Sequence, residues 1–267
     1  MNNYFTDSHA HLTCDLETFK NVKEILERAI AANVKQVITI CTTLESLERA
    51  LSLKEKYPFI GLAASITPHD VEAIGEKSFQ KIAEEAKKGS LVAVGETGLD
   101  YHYAHSKPEI QKDFLRRYLH LSLECKLPVV IHCREAFKDF FEILDEEYRV
   151  NGKHAPGVLH CFTGTMQEAK EVLKRGFYLS LSGIVTFKKS IDLQEVAKMV
   201  PLEQLLIETD TPFLAPQNKR GKKNEPAYLP EIAECIAHLK QISKEEVMKA
   251  TTENANRLFR YKEIGSS

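Results

Sequence analysis

The chain has 267 residues, a formal net charge of −2 at neutral pH and 28% charged residues. That length is what one α/β barrel needs, about 250 residues. The near-neutral balance excludes a globally basic surface of the kind that grips duplex nucleic acid, so any nucleic-acid contact has to be local.

No apolar run approaches the roughly 20 residues that span a bilayer, and the N-terminus lacks the basic-then-apolar layout of a secretion signal. The expectation is a cytoplasmic protein with no membrane contact. Six cysteines, Cys14, Cys41, Cys125, Cys133, Cys161 and Cys235, contain no CxxC pair and read as reduced, mostly buried thiols.

In chain order, short apolar runs alternate with longer stretches of helical period. Strand candidates cover 3–12 (NYFTDSHAHL), 34–42, 59–66, 91–101, 128–133, 157–162, 177–183 and 204–212. Most are nearly continuous apolar runs, as expected of parallel strands covered on both faces. After the first strand, ETFKNVKEILERAIAAN places Val22, Ile25, Leu26, Ala29 and Ile30 on one helical face. After the fifth, EAFKDFFEILDEEY does the same with Phe137, Phe140, Phe141 and Leu144. The seventh is followed only by a modest helix around DLQEVAKMV. Beyond the eighth lie a polar loop and two more helices, LPEIAECIAHLK and SKEEVMKATTENANRLF, the second opening on a capping box from Ser243 to Glu246.

Eight β-then-α units without a domain-scale linker predict one domain over residues 1–267, an α/β protein with a (β/α)8 TIM barrel and extra C-terminal helices. A doubly wound open sheet is the main rival. A barrel gathers chemistry from the C-terminal ends of many strands around one mouth, whereas an open sheet concentrates it at one crevice.

Histidines and carboxylates fall at those predicted strand ends: His9 and His11 on the first, Glu96 on the fourth, His132 on the fifth, His160 on the sixth and Asp210 on the eighth. HxH alone is a weak motif, and any one of these histidines by itself reads as an ordinary hydrogen-bonded residue. The set of six reads as a metal centre. Six nitrogen and oxygen donors exceed one tetrahedral ion and suit two divalent ions, with Glu96 bridging one held by His9, His11 and Asp210 and another held by His132 and His160. The donor types admit zinc, manganese, nickel or magnesium. Asp210 and Glu96 are the catalytic candidates, Asp210 as ligand and general base toward an activated water. Strand alternation places Asp7 on the same side as His9 and His11, and turns Ser8, Ala10, Cys133 and Cys161 toward the helix layer. Asp7 and Asp100 are expected to orient metal-bound imidazoles.

The blocks TDSHAHL, GETGLDY, VIHCREAF, HCFTGT, LIETDTPFLAP and NKRGKKNEPAYL resemble, in order and spacing, the signatures of the TatD family of metal-dependent deoxyribonucleases in the amidohydrolase superfamily. The resemblance runs from Asp7 to TTENANRLF. It implies a TIM barrel with a two-metal centre that hydrolyses DNA phosphodiesters, often from the 3′ end of single strands, with His9, His11, Glu96, His132, His160 and Asp210 as ligands and Glu96 bridging. One block departs from the family pattern: ASITPHD carries Ser65 and Thr67 where a glycine and a histidine usually stand, so His69 is expected to contact substrate rather than metal. The absence of lysine from LVAVGETGLD separates the chain from superfamily members that bridge their metals with a carboxylated lysine.

Substrate contacts are expected from loops at the same mouth. The segment 218–226 carries Lys219, Arg220, Lys222 and Lys223, a local basic patch in which Arg220 suits bidentate phosphate binding. Arg134 is a second phosphate candidate and Tyr101 a base-stacking candidate, although Arg134 also reads as a salt-bridge partner and Tyr101 as loop packing. The expected partner is single-stranded DNA or another phosphodiester, with a monomer favoured. Two other readings stand beside this one: a hydrolase of a small-molecule ester, amide or lactone built on the same centre, and a non-catalytic metal-binding scaffold.

Overall fold

The apolar runs form strands and the amphipathic segments between them form helices. The computed structural model describes residues 3–103 and 105–260. Apart from a short hairpin of Arg149–Val150 and Lys153–His154, the strands are β1 (Phe5–Ala10), β2 (Val34–Cys41), β3 (Ile60–Ala64), β4 (Ala93–Asp100), β5 (Val129–Arg134), β6 (Gly157–Leu159), β7 (Tyr178–Leu181) and β8 (Leu205–Ile207). Each pairs in parallel with the next. A parallel bridge between Ala10 and Thr211 brings the chain after β8 back to β1. There Asp210 N donates to the His9 carbonyl at 2.9 Å and His11 N to the Thr211 carbonyl at 2.7 Å. The sheet is a nearly closed (β/α)8 barrel, which removes the open-sheet rival.

The predicted first helix is split at Asn21 into α1 (Leu16–Lys20) and α2 (Val22–Ala31). The remaining helices are α3 (Leu44–Lys56), α4 (Val71–Lys87), α5 (Pro108–Cys125), α6 (Phe137–Glu147), α7 (Met166–Lys174), α8 (Ile191–Met199), α9 (Leu229–Lys240) and α10 (Lys244–Phe259). Among the described residues no helix is long and apolar enough to cross a membrane.

Two apolar cores flank the sheet. The larger lies between strands and helices. The smaller fills the barrel, where Ile38, Ile40, Ala63, Ala93, Val130, Val158 and Leu206 meet Ala255, Leu258 and Phe259 of α10. Hydrogen bonds place α10 at the end where the strands start: Thr252 donates to the Tyr4 carbonyl, and Asn254 to the carbonyls of Leu202 and Leu205. Helix α10 therefore plugs one end of the barrel, and the polar mouth opens at the other.

Two bulges shape that mouth. On β1, Asp7 pairs with Val37 and Ala10 with Thr39, so three steps of β1 oppose two of β2. On β4, Gly95 pairs with Val130 and Thr97 with Ile131, which leaves Glu96 as the extra residue. An inserted residue re-aims the side chains beyond it. The bulge on β1 overturns two expectations from strict alternation. Ser8 points into the barrel, where its hydroxyl lies 3.1 Å from that of Ser180, and Asp7 points to the opposite side from His9, bonding Thr209. Ala10 faces the helices as expected.

Candidate metal centre

Above the apolar filling of the barrel, β1, β4, β5, β6 and β8 bring polar residues to the mouth. Two residues beyond Val130, Val158 and Leu206, which line the barrel, come His132, His160 and Glu208, and two beyond Glu208 comes Asp210. Gly98 lets β4 lie close to β5, because a Cβ there would sit 1.8 Å from the His132 carbonyl oxygen. The six donors singled out in the sequence gather in this layer, five buried and His132 partly so.

They form two clusters that share Glu96. In the first, His9 Nε2 and His11 Nε2 are 3.1 Å apart. Glu96 Oε2 lies 3.4 Å from His9 Nε2 and 3.6 Å from His11 Nε2. Asp210 Oδ1 lies 3.5 and 3.3 Å from the same two atoms. The ligand atoms of His9, His11 and Asp210 lie close enough to one another to hold a single ion. In the second cluster, Glu96 Oε1 is 2.9 Å from His160 Nε2 and 3.3 Å from His132 Nδ1. Both rings thus approach one Glu96 oxygen, and His160 and Glu96 also lie within ligand range of His9.

Carboxylates stand behind both histidines of the second cluster. Asp100 Oδ2 accepts from His132 Nε2 at 2.8 Å and from His69 Nε2 at 2.9 Å. Those bonds offset the burial that would push the Asp100 pKa up, and hold it well below the usual carboxylate value. With its proton at Nε2, a neutral His132 turns the lone pair of Nδ1 toward the anionic Glu96, an arrangement that calls for a cation between them. Glu208, fully buried, lies 3.4 Å from His160 Nδ1 and accepts from Cys161 N at 2.6 Å. His160 thus has carboxylates on both sides.

The charge states agree with cation sites. Burial pushes the Glu96 pKa up, but the charge of His160 and the hydrogen bonds from His132, His160 and His9 outweigh it and leave the carboxyl well below its ordinary value. Burial opposes protonation of His160, and the carboxylates of Glu96 and Glu208 reverse this, raising it well above a free imidazole. His11 and His132 rise for the same reason, burial being outweighed by Asp210 for His11 and by Asp100 and Glu96 for His132. Without a cation these rings bind a proton more tightly than a free imidazole does. Burial and the charge on His160 lower His9 to about 4, which leaves its imidazole neutral.

Several expected roles land elsewhere. Asp7 accepts from Thr209 Oγ1 at 2.6 Å, Thr209 N at 3.0 Å and His9 N at 3.3 Å, so it ties β1 to the end of β8 and touches no imidazole. Tyr101 donates its hydroxyl to Asp139 at 2.7 Å and packs on the outer core, away from the mouth. Past Leu159 the chain leaves the strand; Cys161 adopts a left-handed backbone and sets its thiol 3.3 Å from the Ser182 hydroxyl rather than against a helix. Cys133 packs on the outer core as expected.

His69, through its bond to Asp100, joins the centre's support. In the basic loop, Lys219 pairs with Glu231 and Lys223 with Glu17. Arg220 instead lies 4.8 Å over the Phe187 ring, and Arg134 4.8 Å over that of Tyr103. Among the described residues neither arginine has a carboxylate partner, which leaves both available to an anion. The sequence reading missed Glu208, although its spacing of two from Asp210 signals a shared face. It also missed Asn224, buried within the basic loop, which donates to the carbonyls of Thr209 and Phe213 at 2.6 Å each.

Comparison with known proteins places this geometry in context. The family described as TatD related DNase matches residues 6–260. A Bacillus subtilis protein named as an uncharacterized metal-dependent hydrolase is 42% identical over 95% of this chain and 98% of its own. A Citrobacter rodentium protein named 3′-5′ ssDNA/RNA exonuclease TatD is 36% identical over 90% of this chain and 92% of its own. The crystal structure of a TatD homolog from Escherichia coli superposes with a TM-score of 0.90 at 26% identity, covering 98% of this chain and all of that one.

Proposed function

The chain belongs to the TatD related DNase family of metal-dependent hydrolases, and from that membership we propose that it is a two-ion phosphodiesterase removing nucleotides from the 3′ end of single-stranded DNA. The observation that carries the reading is Glu96, whose two oxygens each face a different histidine cluster. One ion would be held by His9, His11, Glu96 and Asp210, and the other by Glu96, His132 and His160. The imidazole-rich donor set favours zinc, manganese or nickel over magnesium. When bound, such ions lower the pKa of water toward neutrality and neutralise charge on phosphate oxygens.

The chain's own groups do the rest. Asp210, half ringed by His9 and His11 and slightly open to the mouth, accepts the proton of the attacking water. Asp100 and Glu208 fix the ring orientation of His132 and His160 and raise their basicity as ligands. Arg134 and Arg220 bind the phosphates that flank the scissile bond, their guanidinium planes held by aromatic rings. The name of the Citrobacter relative supports both the single-stranded substrate and the direction.

Reconstituting the metal-free protein with zinc, manganese or magnesium and following a 5′-end-labelled single strand tests the reading. The expected product is a ladder shortening from the 3′ end, absent in His132→Ala. Turnover of simple esters or lactones with the strand left intact would transfer the centre to a small-molecule hydrolase.

A further inference from the structure

The chain has no tryptophan, and among the described residues Tyr103 and Phe213 are the only Tyr or Phe side chains left exposed, at 51% and 54%. Both stand at the barrel mouth, on opposite sides of the metal centre. Phe213 follows β8 and meets the His11 ring edge-on at 5.9 Å. Tyr103 follows β4, meets the His69 ring edge-on at 5.5 Å and lies under the Arg134 guanidinium.

Neither ring sits on a loose loop tip. Phe213 N donates to the Asp210 carbonyl at 2.9 Å, and its own carbonyl accepts from buried Asn224. Tyr103 N donates at 2.9 Å to Asp100 Oδ1, the second oxygen of the carboxylate that holds His132. Each aromatic wall is therefore tied by its backbone to a residue of the centre, Phe213 to Asp210 and Tyr103 to Asp100. Two backbone-anchored rings open to solvent, Phe213 beside His11 and Tyr103 among Arg134, His69, His102 and His105, offer stacking surface at the positions flanking a phosphodiester held between the histidine clusters. Nucleobases stack on such faces without regard to sequence.

We propose that Phe213 and Tyr103 form a pair of base-binding walls, each taking the face of one unpaired nucleobase on either side of the scissile phosphodiester. This rests on the phosphodiesterase reading above and adds the reason for single-strand selectivity: a base held in a duplex stack cannot offer its face to a wall. Tyr103 acts together with Arg134, which covers part of the ring and places a cation beside the adjoining phosphate.

The test compares two oligonucleotides of one sequence, one with all its bases and one whose two 3′-terminal nucleotides are abasic. In Phe213→Ala and in Tyr103→Ala, KM for the complete strand should rise roughly tenfold with kcat unchanged, as for loss of one stacked base. On the abasic strand Phe213→Ala should match the wild type, and Tyr103→Ala, which also takes the ring from under Arg134, should lose less than it does on the complete strand. Phe213→Trp and Tyr103→Phe should restore the complete-strand KM, and metal content equal to wild type shows that the centre is intact. For Phe213→Ala any loss on the abasic strand equal to that on the complete one, for Tyr103→Ala an equal loss on both, or for either variant no loss on the complete strand, would overturn the walls while leaving the nuclease reading in place. A wild-type protein that cleaves neither strand would remove the nuclease reading, and the walls with it.

Discussion

His9 and His11 hold their Nε2 atoms 3.1 Å apart, with Glu96 Oε2 and Asp210 Oδ1 facing both of them. The two ring nitrogens, both on buried residues, and the Asp210 oxygen lie within ligand range of one another, as do His9, Glu96 and His160. The same Glu96 carboxylate then turns its other oxygen to His160 and His132.

The protonation of this centre makes metal binding pH-dependent. In the metal-free chain His11, His132 and His160 have pKa values raised above that of a free imidazole. A raised folded-state value gives the metal-free protein stability that is fully present below the unfolded value, about 6.5, and lost as pH rises through the folded one. A cation must displace those protons, so its affinity should rise with pH and the melting-temperature gap between loaded and metal-free protein should widen. Calorimetric metal titrations in buffers of different ionisation enthalpy should show proton release; binding without it would contradict protonated rings at His11, His132 and His160.

Among the described residues Glu208 reaches the centre through His160 and the Cys161 amide. Glu208→Gln should weaken cation binding at the His132 and His160 cluster about 10- to 100-fold, with turnover recovered at excess metal. A loss that excess metal does not recover would show that Glu208 has another role.

Asp7 provides a contrasting case, since its carboxylate serves Thr209 and backbone rather than an imidazole. Asp7→Ala leaves the buried Thr209 amide without an acceptor, at about 1–3 kcal/mol, while the Thr209 hydroxyl keeps that of Thr211 at 2.7 Å. Thermal stability should fall while metal affinity holds. The reverse pattern would restore the orienting role that strand alternation assigned to Asp7.

At the other end of the barrel, Phe259 is buried in the plug formed by α10. Phe259→Ala should cost about 3–5 kcal/mol in chemical denaturation, with metal content preserved in the folded fraction. A change below about 1 kcal/mol, on the order of a surface substitution, would mean that the barrel floor does not depend on α10.

Much of this was legible in the sequence because parallel strands covered on both faces leave continuous apolar runs, and their polar ends then stand out. His132, His160 and Asp210 follow interior residues at a period of two, so their grouping could be read directly. The same period pointed to Glu208, which went unread because it lies one layer below the mouth. Asp7 and Ser8 were illegible for a different reason: a bulge inserts one residue and exchanges faces, and no residue type in TDSHAHL announces it. Tyr101 and Tyr103 lie just beyond β4, where alternation no longer applies and hydrogen bonds to Asp139 and Asp100 decide which ring reaches the mouth. The hairpin of Arg149–Val150 and Lys153–His154 also went unread, although Asn151 and Gly152, with φ of 51° and 79°, form the turn pair that favours one.

The central claim is that two cations share Glu96 and that phosphodiester hydrolysis needs both. Cleavage of an end-labelled single strand, followed as zinc or manganese is added by equivalents to metal-free protein, tests it most directly. Little cleavage is expected through the first equivalent, with a rise to full rate across the second. Full rate at one equivalent would contradict the shared centre.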